Sequence, residues 1–205
     1  MCAIEIKKPT ALIVEGKEEE LFFSSLLNEI AIDSIQIFPI GGKTKLRDHL
    51  EAFTDSPAYS SIVKNIGIIR DADQSENDTL KSVQDALVAV KLPSPRMPMK
   101  MTGISPRVGI MILPGQGRPG MLEDLCLEAV ADDPAMQCVN DYFRCLSDNK
   151  SMPSKDFSKA KINAFLTSRD SPDKRLGEAA LAGYWPWNHS VFDQAKTFLR
   201  SLISE

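Results

Sequence analysis

The sequence predicts an α/β fold: a mainly parallel, four-stranded sheet flanked by helices, with a helical C-terminal segment. Three observations carry this. Short apolar runs alternate with segments of helical period over the first two-thirds of the chain. Repeated strand-then-helix units of this length imply parallel strands with helices on both faces. From Pro134 onward the pattern is helical, with no further strand.

Thr10 to Val14 is the first apolar run. Glu18 to Ile30 follows as a helix with Leu21, Phe22, Leu26 and Ile30 inward, and the three glutamates of its first turn suit the positive end of the helix dipole. Ser34 to Ile40 alternates as a strand and ends at Gly41-Gly42, ahead of a helix near Lys45 to Phe53. The next strand lies within Ile62 to Ile69 and is closed by Arg70-Asp71-Ala72-Asp73. Thr79 to Val90 reads as a helix with Asp78 as its N-cap. Lys91 to Pro106, rich in proline and methionine, reads as a long connection. Val108 to Leu113 is a fourth strand, and Pro114 to Gly120 leads into a helix from Met121 to Ala131. An α/β domain is therefore expected over 8–131, with a helical extension over 132–205 packed on the same core.

A chain of 205 residues suffices for one well-buried core and is too short for two full domains. Its 43% apolar and 25% charged residues are those of an ordinary soluble globular protein. No run of about 18 apolar residues occurs, so no membrane span is expected. The N-terminal residues mix acid and base and lack the apolar core of a signal peptide, which points to a cytoplasmic protein. Net charge is −4, yet Lys155, Lys159, Lys161, Arg169, Lys174 and Arg175 gather in one stretch against Asp156, Asp170 and Asp173. That surplus either meets phosphates or forms a solvated helix face. Cys2, Cys126, Cys138 and Cys145 show no C-x-x-C spacing and there are only two histidines, so the thiols read as buried and reduced rather than zinc ligands.

In an open parallel sheet, ligands collect outside the carboxyl ends of the strands. Two strands here finish in acids at that edge: Ile13-Val14-Glu15-Gly16 and Ile69-Arg70-Asp71-Ala72-Asp73. Acids placed directly after buried strands are costly unless compensated, and a hard cation such as Mg²⁺ or Mn²⁺ would compensate them. An extended Asp71-Ala72-Asp73 segment would put both carboxylates on one side, and Gly16 would let the chain turn sharply behind Glu15.

Three motifs fail on inspection. Asp71-Ala72-Asp73 opens like an EF-hand, but Glu76 and Ser82 stand where that loop needs glycine and glutamate. Gly41-Gly42-Lys43-Thr44 ends like a P-loop without the earlier glycine. Gly115-Gln116-Gly117-Arg118-Pro119-Gly120 satisfies G-x-G-x-x-G, but Glu123 and Asp124 in the next helical turn would repel a pyrophosphate, and no nucleotide cofactor is expected.

Leu12-Ile13-Val14-Glu15-Gly16-Lys17-Glu18-Glu19 resembles the first Toprim motif, and Ile66 to Asp73 resembles its second, a strand ending in Asp-x-Asp. Toprim domains occur in topoisomerases, bacterial primases and OLD-type nucleases. The chain is more narrowly similar to a family of small bacterial proteins, the DUF3226 group, through Ile110 to Leu127 and Lys159 to Trp187. The resemblance implies a Toprim-like Rossmannoid fold. It also implies Glu15 as metal ligand or general acid/base, and Asp71 and Asp73 as the metal-binding pair. Glu19 matches a position commonly occupied by Asp. Glu123 or Asp124 would add a ligand, or would simply favour a helix N-terminus.

The expected activity is Mg²⁺- or Mn²⁺-dependent hydrolysis of nucleic-acid phosphodiesters, DNA or RNA, with Lys43 or Lys161 steadying transition-state charge. Two alternatives stay open. One is a non-hydrolytic module that binds metal and nucleic acid, or a protein partner in a larger system. The other is a phosphatase of the haloacid dehalogenase type with Asp71 as nucleophile. Tyr184, Trp185 and Trp187 read as core anchors in preference to base-stacking groups.

Overall fold

The computed structural model describes residues 4–151 and 156–204, so that Cys2 and Lys155 lie outside it. Four strands form the sheet: β1 (Thr10–Val14), β2 (Ile35–Pro39), β3 (Asn65–Asp71) and β4 (Arg107–Leu113). All pair in parallel, in the order β2-β1-β3-β4. The central strands β1 and β3 are buried almost throughout, which is why they read as unbroken apolar runs. The helices are α1 (Lys17–Glu29), α2 (Leu46–Thr54), α3 (Tyr59–Ile62), α4 (Glu76–Ala89), α5 (Leu122–Ala129), α6 (Pro134–Asp148), α7 (Phe157–Leu166), α8 (Leu176–Leu181) and α9 (Asp193–Ile203).

Alternation along each strand sorts side chains between two cores. Leu12, Val14, Ile69, Met111 and Leu113 face a core completed by α1 and α5 to α9. Ala11, Ile13, Ile66, Ile68, Ile110 and Ile112 face a smaller one completed by α2 and α4. The C-terminal helices thus cover one sheet face with Phe143, Phe165, Trp185 and Phe198. The Trp185 indole N–H donates to the Leu176 carbonyl at 3.2 Å, and Trp187 packs edge-on against Phe22. The aromatic cluster is core, as its composition suggested.

Close packing explains the glycines inside elements. Gly67 and Gly109 are register partners, and both lie under α9. A Cβ on Gly67 would stand 2.5 Å from Leu202 Cδ1. In α8, a Cβ on Gly177 would stand 2.7 Å from the Glu18 carbonyl oxygen, so α8 lies directly on α1.

The structure corrects several details. Ser75, not Asp78, caps α4: its hydroxyl accepts from the Asp78 N–H at 3.2 Å. The connection before β4 is more than a linker, because Met99 and Thr102 donate backbone hydrogen bonds to Ile110 and Val108 and cover the free edge of β4. Cys126 is buried, but Cys138 and Cys145 are exposed. The inward stripe of α6 runs through Met136, Val139 and Phe143, which turns both cysteines outward. None of the described helices is long and apolar enough to cross a membrane.

Gly67→Val should overpack the β3–α9 contact and cost about 1–3 kcal/mol in urea unfolding. A loss below about 0.5 kcal/mol would show that α9 does not rest on this position.

Candidate functional site

The sheet's carboxyl edge carries two charge systems separated by the strand pleat. Arg70 has the same parity in β3 as Ile66 and Ile68, so it points towards the smaller core. It is only 6% exposed and reaches Glu15 Oε2 through Nε at 3.2 Å. Glu15 follows β1 with the parity of Ala11 and Ile13, on that same side. The Arg70 guanidinium also donates to the Lys43 carbonyl at 3.2 Å. Gly41 and Gly42, both at positive φ, let the chain turn after β2, and the Gly42 N–H donates to the Glu15 carbonyl at 3.0 Å. Lys43 then reaches Asp73 Oδ2 at 2.9 Å. That contact holds the Lys43 ammonium above its ordinary range.

Asp71 has the opposite parity, with Ile69, and faces α1 and α5. Its Oδ1 accepts from the Leu122 N–H at 3.0 Å, the first residue of α5. A helix N-terminus suits an anion, but one N–H does not offset the burial of a carboxylate. Burial first, then the charges of Glu19, Glu123 and Glu15, holds the Asp71 carboxyl well above the usual carboxylate range. Burial, with Glu15 and Glu18 nearby, raises Glu19, while burial and Glu19 raise Glu123 against the opposing charge of Lys159. Cys126, fully buried beneath them, is pushed well up by burial and by the Glu123 and Asp71 charges.

The expected sites therefore separate. Asp71, Glu19 and Glu123 lie close enough for their charges to act on one another, and the Glu15 charge acts on Asp71 and Glu19. Asp73 does not join them on one side: Ala72 is buried as expected, but Asp73 adopts φ +51° and exchanges backbone hydrogen bonds with Gly120. This leaves the extended conformation that would have aligned it with Asp71. Gly16 also differs from expectation. Its backbone is extended, and a Cβ there would approach the Glu19 carboxylate tightly, at 3.2 Å.

Asp124 is engaged at both oxygens, accepting from the Met121 N–H at 2.8 Å and from the Ser158 hydroxyl. Glu18 accepts from the Gly177 N–H at 2.7 Å and ties α1 to α8. Lys161 lies half-buried on α7 and makes no ion pair among the described residues; the neighbouring charge at Glu123 is that of Lys159. Arg169, counted in the basic stretch, is bound to Asp133 through two hydrogen bonds of 3.0 and 3.1 Å. The residues missed from sequence are Arg70 and Lys159. Strand parity would have paired Arg70 with Glu15.

A family model described as a protein of unknown function, DUF3226, matches residues 9–204. The chain belongs to the DUF3226 family. In fold, this DUF3226 chain is similar to the C-terminal region of the OLD protein from Xanthomonas campestris pv. campestris, at 11% identity and a TM-score of 0.50, covering 95% of this chain and 96% of that one. It is similar likewise to the C-terminal region of the Burkholderia pseudomallei OLD protein, at 11% identity and a TM-score of 0.50, covering 97% and 100%. At such identity the likeness is one of fold, and it agrees with the Toprim-like arrangement expected from the motifs. No curated protein matches the sequence.

A carboxyl raised by folding keeps its proton after the unfolded chain has lost its own. The stability it contributes is complete below the ordinary carboxylate range, about pH 4, and is lost as pH rises through the raised value. With chelator present, the urea midpoint should therefore fall as pH rises above the ordinary carboxylate range. Asp71→Asn, which keeps the acceptor for Leu122, should flatten that slope and raise the midpoint on its alkaline side. An unchanged slope would mean that Asp71 carries no such load.

Proposed function

We propose that this DUF3226 chain is a divalent-metal-dependent nuclease whose centre is Asp71 with Glu19 and Glu123. The observation carrying the proposal is the gathering of these carboxyls, each raised by burial and by its acidic neighbours. An all-oxygen, like-charged donor set fits Mg²⁺ or Mn²⁺. Among the described residues no group of three or more acidic, histidine or cysteine side chains is placed to hold a metal ion. Mg²⁺ does not require one, because it keeps several waters and is held by one or two carboxylates together with substrate oxygens.

When bound, such an ion supplies phosphate polarisation and an activated water. Asp71 and Glu19 are the proposed ligands, with Glu15 held beside them by Arg70. Glu123 is the proposed proton acceptor at its carboxylate, because Glu15 is committed to Arg70. Lys43 and Lys159, in preference to Lys161, are the cations proposed to hold a phosphate in line. Asp124 is assigned to capping α5. Nucleic acid as substrate rests on the Toprim resemblance, and the fold likeness to OLD C-terminal regions supports it.

Single- and double-stranded DNA and RNA should be incubated with Mn²⁺ and with Mg²⁺, beside Asp71→Asn and Glu19→Gln. Metal-dependent cleavage should appear for at least one substrate. It should fall at least about a hundredfold in Asp71→Asn, the loss expected when several kcal/mol of transition-state stabilisation are removed. Cleavage that survives both variants, or that ignores chelation, would overturn the assignment. Silence of the wild type on every substrate would favour a module that binds without hydrolysing.

A further inference from the structure

The amino-terminal edge of the sheet has a cavity of its own, about 420 Å³, into which β1, β3 and β4 open with Thr10, Lys64, Asn65 and Arg107. That volume falls within the range of small-molecule sites. Strand register explains the grouping. Asn65 is the β-partner of Arg107, and the Arg107 N–H donates to the Lys64 carbonyl at 2.9 Å, so two strand starts bring both cations to one cavity. β3 is seven residues long, which puts this cavity about 20 Å from Asp71, at the opposite end of the strand. The chain carries a net charge of −4, yet no carboxylate lines the cavity among the described residues. Neither Lys64 nor Arg107 makes an ion pair among those residues.

Arg107 donates through Nη1 to the Ser204 carbonyl, just past α9. That bond steadies the guanidinium and leaves its other N–H groups for a ligand. Capping a helix end would account for an arginine at this position, but not for the exposed Lys64 beside it. The hydroxyls of Ser34 and Ser105 line the same cavity. Two cations and two hydroxyls with no opposing acid are the donors that suit a phosphate. Ile104 and Ile203 add an apolar lip, 93% and 40% exposed. The turn that carries Ile104 is fixed. Thr102 and Val108 exchange backbone hydrogen bonds of 2.8 and 2.7 Å across it, and Gly103 takes φ +94° where a Cβ would stand 2.5 Å from Pro93 Cγ. Apolar faces held beside a cationic floor suit a ligand with a charged end and a planar body.

We propose that this amino-terminal cavity binds a small phosphate monoester with a planar body, the chemistry of a mononucleotide. Lys64 and Arg107 hold the phosphate oxygens, Ser34 and Ser105 donate to them, and Ile104 and Ile203 cover the ring. The inference stands apart from the metal reading, since Asp71, Glu19 and Glu123 do not line this cavity.

AMP, adenosine and inorganic phosphate can each be titrated into the wild type by calorimetry, with chelator present so that no divalent ion takes part. AMP should bind one-to-one, more tightly than inorganic phosphate or adenosine, and more weakly as salt is raised. Lys64→Gln, at an exposed position, should weaken AMP about tenfold or more, the loss of one charge-assisted hydrogen bond. Arg107→Gln, which keeps a donor for the Ser204 carbonyl, should weaken it at least as much. Ile104→Ser should weaken AMP and leave inorganic phosphate unchanged. Absence of saturable AMP binding up to about 10 mM would overturn the proposal, as would binding that both cation variants leave intact. Binding lost in Lys43→Met instead would place AMP in the cleft lined by Lys43 and Asp73, and would overturn it too. Equal affinity for AMP and inorganic phosphate would overturn the monoester assignment.

Discussion

Arg70 and Asp71 are adjacent in sequence, and the pleat of β3 sends their opposite charges to opposite faces of the sheet. Much of the candidate site follows from that separation. Arg70 cannot neutralise Asp71, so it pairs with Glu15 and holds the Lys43 carbonyl. Asp71 faces Glu19 and Glu123 with one helix N–H for support. Had both side chains shared a face, the guanidinium would have satisfied the aspartate, and the acidic cluster would carry much less strain.

Surrounding elements hold this arrangement in place. The turn at Gly41-Gly42 brings Lys43 over the edge, the Gly120 bridge fixes Asp73, and α5 presents its first N–H to Asp71. Behind them, α8 lies on α1 and α9 lies on paired glycines of β3 and β4. Like charges held together where they are partly buried oppose folding, and a fold that retains them trades stability for a site. The rigid cores on both faces are what make that trade possible.

Much of the fold was legible in the sequence. Four apolar runs separated by helical segments gave the strands within a few residues, and their spacing required parallel pairing. The order β2-β1-β3-β4 was not legible, because pairing is a long-range choice that local pattern does not record. At the site, Glu15, Asp71 and Glu19 were named from strand ends and motif. The extended backbone expected through Asp73 is not found, because Asp73 takes a left-handed conformation and bridges to Gly120, 47 residues away by their numbers. The parity of Arg70 with Ile66 and Ile68 places it on the Glu15 side of the sheet. A count of basic residues does not say which lysine of α7 faces Glu123, and it is the Lys159 charge that acts there. The exposed Cys138 and Cys145 show the same weakness, since a helical stripe displaced by one residue reverses which side chains are buried.

The central claim is that the acidic cluster around Asp71 is built for a divalent cation. Crystals soaked in Mn²⁺ and measured for anomalous scattering test it most directly, because the peak reports position independently of activity. The account expects a peak coordinated by Asp71 and by Glu19 or Glu123, and its disappearance in Asp71→Asn. A map with no peak there at saturating Mn²⁺, or with peaks only at other carboxylates, would contradict it.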